Sequence, residues 1–525
     1  MSTSLSPVTK VTTSAVGLPD SPNVDYMLPD LAAELKKYEL IRVCLSGQEE
    51  VKKGGDKWLP RPNAADTSNE NKARYDSYLL RAVFYNVTGN TVAGLVGQVF
   101  TADPVTEFPE MMDAMWWDVT GTGVSMIQQA KKVLGQVLAY GRCGLLTDFP
   151  PKNADGSDFT REQVQNGEAR PIIQMYSATD IINWRYKTIN AQSVLCLVVL
   201  NESYTISDDG FEIKRGRCKR VLRLDDDNLY VVDEWRPIND DPEQGWVKQP
   251  PMMPTDGAGN RLSYIPFTFV GSQNNDSNVD RPPMYDMAVL NMAHYHNSAD
   301  YEDSVYMVGQ PTPYFSGLTE HWVKEVLKET IQLGSRGAVP LPEGGQAGLI
   351  QAEPNSMVKE AMDKKEQQMI ALGAQLVEDK KVQRTLGEAK MENAMVNSTL
   401  TSCARNTSQA MEQSIKWACD FYDVSDAEKD NVIFTLSTDF AIQKMASTDR
   451  AQLIAEWQGG AIAWSEMRSQ LRQSGIATMD DEEAKEEIEG DAQRQIDLDK
   501  ANGIGPDGKP IQDNPDDAND ANKDE

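Results

Sequence analysis

A chain of 525 residues is too long for one small core and implies roughly two to four domains or subdomains, and its 40% hydrophobic and 25% charged content belongs to a folded protein. Acids outnumber bases 80 to 51, a net charge of −29, which argues against a static grip on nucleic-acid phosphates and leaves room only for a local basic patch. No apolar run nears the ~20 residues that cross a bilayer, so no membrane span is expected.

Residues 1–26 are rich in Ser, Thr and Pro and read as a flexible start without the charged and apolar regions of a secretory signal. MLPDLAAELKKYELIRVCLSG (27–47) places Leu31, Leu35, Tyr38 and Ile41 at helical spacing behind Pro29. KWLPRPNAAD breaks the chain before a second helical region at about 70–100. TGVSMIQQAKKVLGQVLAYGRCGLLTDFPP predicts a helix ending near Gly141, then a short buried strand ending at Asp148-Phe149-Pro150.

The period then changes. Runs of β-branched and aromatic residues between 171 and 236, separated by clusters such as SDDG and DDDN, predict antiparallel strands, and YIPFTFVG (264–271) predicts one more. Between Met284 and Ser304 only Val289 is β-branched, with Pro282-Pro283 where a helix start tolerates proline, so a helix follows. His294 and His296 fall inside it. Residues two apart on a helix diverge by about 200°, so the pair cannot share one ion, and both read as structural or surface groups.

A compact Gly/Pro-bounded insertion (310–356) carries an expected short helix at about 319–333. Helix then resumes, with Val358, Met362, Lys365, Met369, Leu372 and Leu376 stepping by 4, 3, 4, 3, 4 in a heptad-like seam. A charged break with Lys380, Lys381, Arg384 and Gly387 follows. From Glu388 one helix of about 36 residues is expected, about 54 Å long, with Leu400, Ala404, Met411, Ile415, Ala418 and Tyr422 as its apolar face. NVIFTLSTDF reads as a strand, and two helices should flank Gly459-Gly460. Residues 480–525 hold 17 acids and 5 bases, and from about 490 the composition predicts disorder.

Little in the chain asks for catalysis. No phosphate loop, dinucleotide fingerprint, H-E-x-x-H or G-x-S-x-G occurs. A Ser-His-Asp or Cys-His site would need His294, His296 or His321, and no nearby serine or cysteine has a nucleophile-elbow context. NADGSDF (153–159) faintly echoes a calcium loop but lacks the terminal glutamate and reads as a surface loop. Cysteines 44, 143, 196, 218, 403 and 419 form no C-x-x-C pair and read as reduced, mostly buried thiols. No catalytic residue, metal ligand or cofactor site is expected, and the chain is not expected to be an enzyme.

The order of segments is the strongest feature. KWLPRP, LAYGRCGLLTDFP and IPFTFVGSQNNDSN lead into a long helix with the core LNMAHYHNSADYEDSVY, then a compact insertion, a returning helix, a charged break and a still longer helix. Over residues 30–490 this order resembles the portal, or head–tail connector, proteins of tailed double-stranded DNA bacteriophages. The resemblance implies an α+β fold with a mixed α/β wing at 27–281, stem helices at 282–309 and 357–378, and a small α/β clip at 310–356. It further implies a tunnel loop at 379–388, a long wing helix and strand at 389–440, and a helical crown at 441–489, before the acidic tail at 490–525.

The resemblance also implies a ring of twelve copies at one capsid vertex, made in the bacterial host cytoplasm and built into the virion. Such a ring passes DNA during packaging and ejection, retains it between, and carries the tail. Its implied partners are a terminase large subunit, a head–tail adaptor, the major capsid protein and a scaffold protein. The cations Lys380, Lys381 and Arg384 would make transient, non-sequence-specific contacts with double-stranded DNA. Val358, Met362, Met369, Leu372 and Leu376 would form the stem seam, where ordinary helix packing is the plainer reading. Two other readings stay open: a different minor head or scaffold-associated virion protein, and an enzyme working through carboxylates and Mg²⁺.

Overall fold

A computed structural model of the chain describes residues 23–149, 163, 169–309, 312–327, 339–350, 356–377, 398–438, 447–459, 461–473, 484, 485, 487 and 490. The chain divides into two units, Met1–Thr438 and Asp439–Glu525. The fold is α+β, as expected.

The first unit opens with α1 (Pro29–Ser46), whose Pro29 sits where a missing N–H is harmless. Leu31, Tyr38, Ile41 and Cys44 form its buried stripe, and the helix ends at Gly47 (φ +84°). The short α2 (Gln48–Lys53) follows. The single helical region expected at 70–100 is two helices, α3 (Asn69–Arg81) and α4 (Val87–Val99). The break falls at 82–86 because Asn86 caps a new start, its side chain accepting the Gly89 N–H at 2.9 Å. A three-residue strand β1 (Val105–Glu107) and the short α5 (Asp113–Trp117) lead to α6 (Met126–Tyr140).

A capping box of Ser125 and Gln128 starts α6, and Gly141 (φ +80°) ends it. A side chain at Gly141 would lie 2.9 Å from the Asp280 carbonyl, so only glycine fits that turn. The chain then enters β2 (Arg142–Asp148), which becomes the middle of a three-stranded sheet between β3 (Ile172–Ser177) and β9 (Phe267–Gly271). Between β3 and β9 in sequence lies an antiparallel meander of β4 (Ile181–Ile189), β5 (Gln192–Asp208), β6 (Ile213–Leu224), β7 (Tyr230–Pro237) and β8 (Trp246–Lys248). Leu146, Ile181, Val198, Leu222, Val232 and Phe267 belong to the core the two sheets share.

The long α7 (Tyr285–Gly309) follows, then β10 (Thr312–Ser316) paired antiparallel with β11 (Gln346–Ile350), and α8 (Ser356–Val377). Where a helix was expected at 319–333, the described part is a five-residue π-helical turn, Trp322–Val326; 328–338 lie outside the described residues. The last long helix, α9 (Thr399–Phe421), packs against α6, β2 and β9. It is shorter than expected at its C-terminal end. Asp423 takes a left-handed φ of +56°, and Ser425 caps the new short helix α10 (Asp426–Asp430). Strand β12 (Ile433–Thr435) then pairs with β1.

The second unit contains α11 (Ser447–Gln458) and α12 (Trp464–Gln473), the two helices expected around Gly459-Gly460. The calcium-like stretch 153–159, the start of the expected 388–424 helix and the acidic tail beyond Gly490 lie outside the described residues.

Candidate assembly and channel site

The helix pair α7 and α8 is the candidate site. One side of α7 is buried through Met287, Ala288, Asn291, Met292, His294, Tyr295, Ser298 and Ala299. That stripe steps by threes and fours, the spacing of one helical face. Much of it meets α1, α3 and α4, where Ala288, Met292, Tyr295 and Ala299 join a cluster with Ile41, Cys44, Tyr78 and Phe84.

Polar side chains fix where along its length α7 docks. Asn291 is wholly buried. Its Oδ1 accepts from the Thr88 backbone N–H (3.0 Å) and the Thr88 hydroxyl (2.9 Å), and its Nδ2 donates to the Tyr85 carbonyl (2.8 Å). Two turns later the Val83 N–H donates to Ser298 Oγ at 3.1 Å. The Tyr78 hydroxyl donates to Asp300 Oδ1 at 2.7 Å, and burial together with this bond holds the phenol's pKa above its usual value. Arg81 pairs with Asp303 and lays its guanidinium over the Tyr306 ring, 4.2 Å from the centroid.

The two histidines of α7 serve separate partners. His294 Nε2 lies 3.3 Å from Glu366 Oε1 on α8, and His296 Nε2 lies 2.7 Å from the Trp58 carbonyl. The divergence read from helical geometry is what the structure places there.

Helix α8 runs antiparallel to α7. Lys365 Nζ donates to Asn297 Oδ1 at 3.4 Å, Glu366 meets His294, and Gly373 lies against Met287. Of the seam residues named from sequence, Met369 is buried at 1% exposure, and Val358, Met362, Leu372 and Leu376 are half-buried, as is Lys365. The opposite side of α8 exposes Ile370 (71%). On α7, Val289, Val305, Tyr306 and Met307 are exposed, as are Tyr314, Leu349 and Ile350 on the two-stranded β10–β11 sheet. Lys380, Lys381 and Arg384 lie outside the described residues.

Sequence reasoning did not single out Asn291, Thr88 or Ser298. One signal was available: Asn291 stands four residues from both Met287 and Tyr295, a polar residue at an apolar position of its stripe.

Two concavities lie elsewhere on the first unit. One of about 380 Å³ is lined by Leu35, Tyr38, Arg42, Tyr140 and Ala178, and one of about 870 Å³ by Asp180, Glu202, Arg217, Arg220 and Trp246. Among the described residues no group of three or more His, Cys, Asp or Glu is placed to hold a metal ion. Arg142 is the most unusual buried cation. None of its three guanidinium nitrogens has a hydrogen-bond partner, and its planar head stacks on Trp184 (4.3 Å) and Phe269 (5.1 Å). Burial lowers its pKa.

A sequence family described as a domain of unknown function, DUF4055, matches residues 283–422, the span from the start of α7 to the end of α9. No curated protein matches the chain. Among solved structures, the chain is similar to one titled "Virion of native gene transfer agent (GTA) particle", at 12% identity over 77% of this chain and 94% of that one, with a TM-score of 0.38. It is likewise similar to "Neck of empty GTA particle computed with C6 symmetry", at 12% identity, 75% and 91% coverage and a TM-score of 0.39.

Proposed function

We propose that the chain is a portal protein, forming a ring at one capsid vertex of a phage-like virion through which double-stranded DNA is packaged, retained and ejected, and to which the tail attaches. The observation that carries this reading is the antiparallel α7–α8 pair joined through the β10–β11 sheet. Its inner side is pinned to the body of its own chain, while Val289, Val305, Met307 and Ile370 remain in water. Apolar side chains left out on such a pair are those a neighbouring copy would cover.

In this reading α7 and α8 form the stem, β10–β11 belong to the clip, the sheets and α9 form the wing, and the second unit the crown. Lys380, Lys381 and Arg384 would touch DNA phosphates transiently. The acidic balance suits a conduit, because a wall that bound phosphates strongly would hold the DNA instead of letting it slide. The chain would carry no catalytic step and no cofactor. Energy would come from a terminase large subunit, and the ring would also meet a head–tail adaptor, the major capsid protein and a scaffold protein.

The test is the native mass of the purified chain, followed by a negative-stain image. A ring with a central hole near 700 kDa, twelve copies of a 58.3 kDa chain, is the expected outcome. A chain that stays monomeric at high concentration and with scaffold added refutes the reading.

A further inference from the structure

The β5–β6 hairpin outruns its sheet. β5 pairs with β4 only as far as Leu200, and β6 pairs with β7 only from Lys219. Residues 201–208 and 213–218 therefore find no strand partner but each other and Lys219. At about 3.4 Å per residue they make an arm about 25 Å long.

The base of this arm is held. Tyr204 lies under the Arg236 guanidinium, 4.5 Å from its centroid, and its hydroxyl donates to Asp240. The tip is shaped by its own side chains. Asp208 Oδ1 accepts the Gly210 N–H (2.8 Å), and Asp209 Oδ1 accepts those of Phe211 (2.9 Å) and Glu212 (2.6 Å). That turn presents Phe211 wholly to solvent, at 101% exposure, with Ile213 half exposed behind it. Along the shaft, Lys214, Arg215 and Arg217 are exposed and make no ion pair among the described residues. Arg215 and Arg217 share one face, opposite Thr205 and Ser203.

A lone two-stranded ribbon is marginal in water, and an aromatic tip with an unpaired cationic shaft has the make-up of an interface anchor. We propose that this arm docks onto a second copy of the same chain. Charge selects the occupant. Three unpaired cations need an acidic surface, and a chain of net charge −29 supplies one in every other copy. The acidic patch would face the cationic shaft and not the tip, and DNA fits less well, because Asp208, Asp209 and Glu212 beside Phe211 would meet phosphates with like charge. In this contact the arm of one copy meets a different, acidic patch on the next. Contacts between unlike patches close into rings when their rotation permits. The inference thus deepens the ring reading by naming one of its contacts, yet the contact itself needs only one second copy.

The test replaces Phe211 with photo-reactive benzoyl-phenylalanine in the full-length chain, irradiates the purified protein, and resolves the products on a denaturing gel. Covalent dimers and higher multiples of the 58.3 kDa chain are expected. Phe211→Asp, and separately the triple change K214E/R215E/R217E, should weaken assembly roughly tenfold or more by native mass, with circular dichroism unchanged. Rings without a cross-link, or arm variants that assemble like the parent, overturn the contact and leave the ring reading standing. A chain that stays monomeric and uncross-linked overturns both. Cross-links formed only to added DNA overturn the choice of occupant.

Discussion

Asn291→Leu tests whether α7 is pinned to the body by hydrogen bonds as well as by apolar packing. Asn291 and Thr88 are both wholly buried, and leucine keeps much of the volume while removing every polar atom. Thr88 is the second residue of α4, so its hydroxyl has no preceding helical turn to fall back on. The Thr88 hydroxyl and N–H therefore both lose their acceptor, while the Tyr85 carbonyl keeps the Val87 N–H at 2.8 Å. Each orphaned buried group costs about 1–3 kcal/mol, so about 3 kcal/mol is expected for the two. Thr88→Val removes one hydroxyl contact and leaves the other two bonds of Asn291 in place, for about 1 kcal/mol. Because the chain has two units, one unfolding free energy is not well defined, and hydrogen–deuterium exchange is the sharper assay. A loss of 3 kcal/mol should speed exchange in α4 and the first half of α7 roughly a hundredfold. Exchange within twofold of the parent would refute the argument, since α7 would then be held by packing alone.

Asn291→Asp should be pH-sensitive: burial raises the introduced carboxyl's pKa, its protonated form can still donate to the Tyr85 carbonyl, and so stability should be greater at pH 5 than at pH 8. A melting temperature equal at both would count against it. Leu372→Asp on α8 should lower native assembly mass while leaving most secondary structure intact, and normal rings would show that this face is no seam. Burial pushes the Cys143 and Cys403 thiols from 9.0 up to about 12. Their protons stay bound when folded while unfolded thiols ionise, so this stabilisation is complete below pH 9 and drains away toward pH 12. At pH 8 the half-exposed Cys196 should label first with a thiol reagent, and equal labelling of Cys143 would contradict its burial. Arg142→Met should cost under about 1 kcal/mol, because the guanidinium makes no hydrogen bond and its stacking is replaced by a flexible apolar chain; hydrogen exchange in β2 speeded more than about thirtyfold, equivalent to over about 2 kcal/mol, would reveal an unseen role for the charge.

What was legible in the sequence was local. A run from 284 to 304 with one β-branched residue and no glycine announces α7, and Gly141 marks the end of α6. Paired runs around SDDG announce the β5–β6 hairpin, though not that it would extend past its neighbours. What stayed hidden depends on partners far along the chain. Three residues of β1, set between prolines, carry too little pattern to be a strand until β12 pairs with them from more than 300 residues away. The Asn86 cap divides a stretch whose apolar content reads as continuous helix. The histidine spacing correctly separated the two rings, but nothing local pointed to Glu366 for one or the Trp58 carbonyl for the other.

The two helices of the candidate stem are held very differently, and the difference bears on how a ring could work. Along α7, Asn291, Ser298, Asp300 and Asp303 bond to residues 78–88. These anchors span about 18 Å at 1.5 Å per residue. Apolar surfaces can slide over one another at modest cost, but directional bonds at four levels set one axial register. Helix α8 has fewer anchors. Among the described residues Met369 is its one buried large side chain, and the His294–Glu366 and Asn297–Lys365 contacts tie it to α7 at 3.3 and 3.4 Å, both long for charged groups. Force applied along such a pair would pass into the body through α7. The position of α8 would depend on what covers Ile370 and the half-buried Leu372 and Leu376, and on the proposed ring reading that cover would be the next copy.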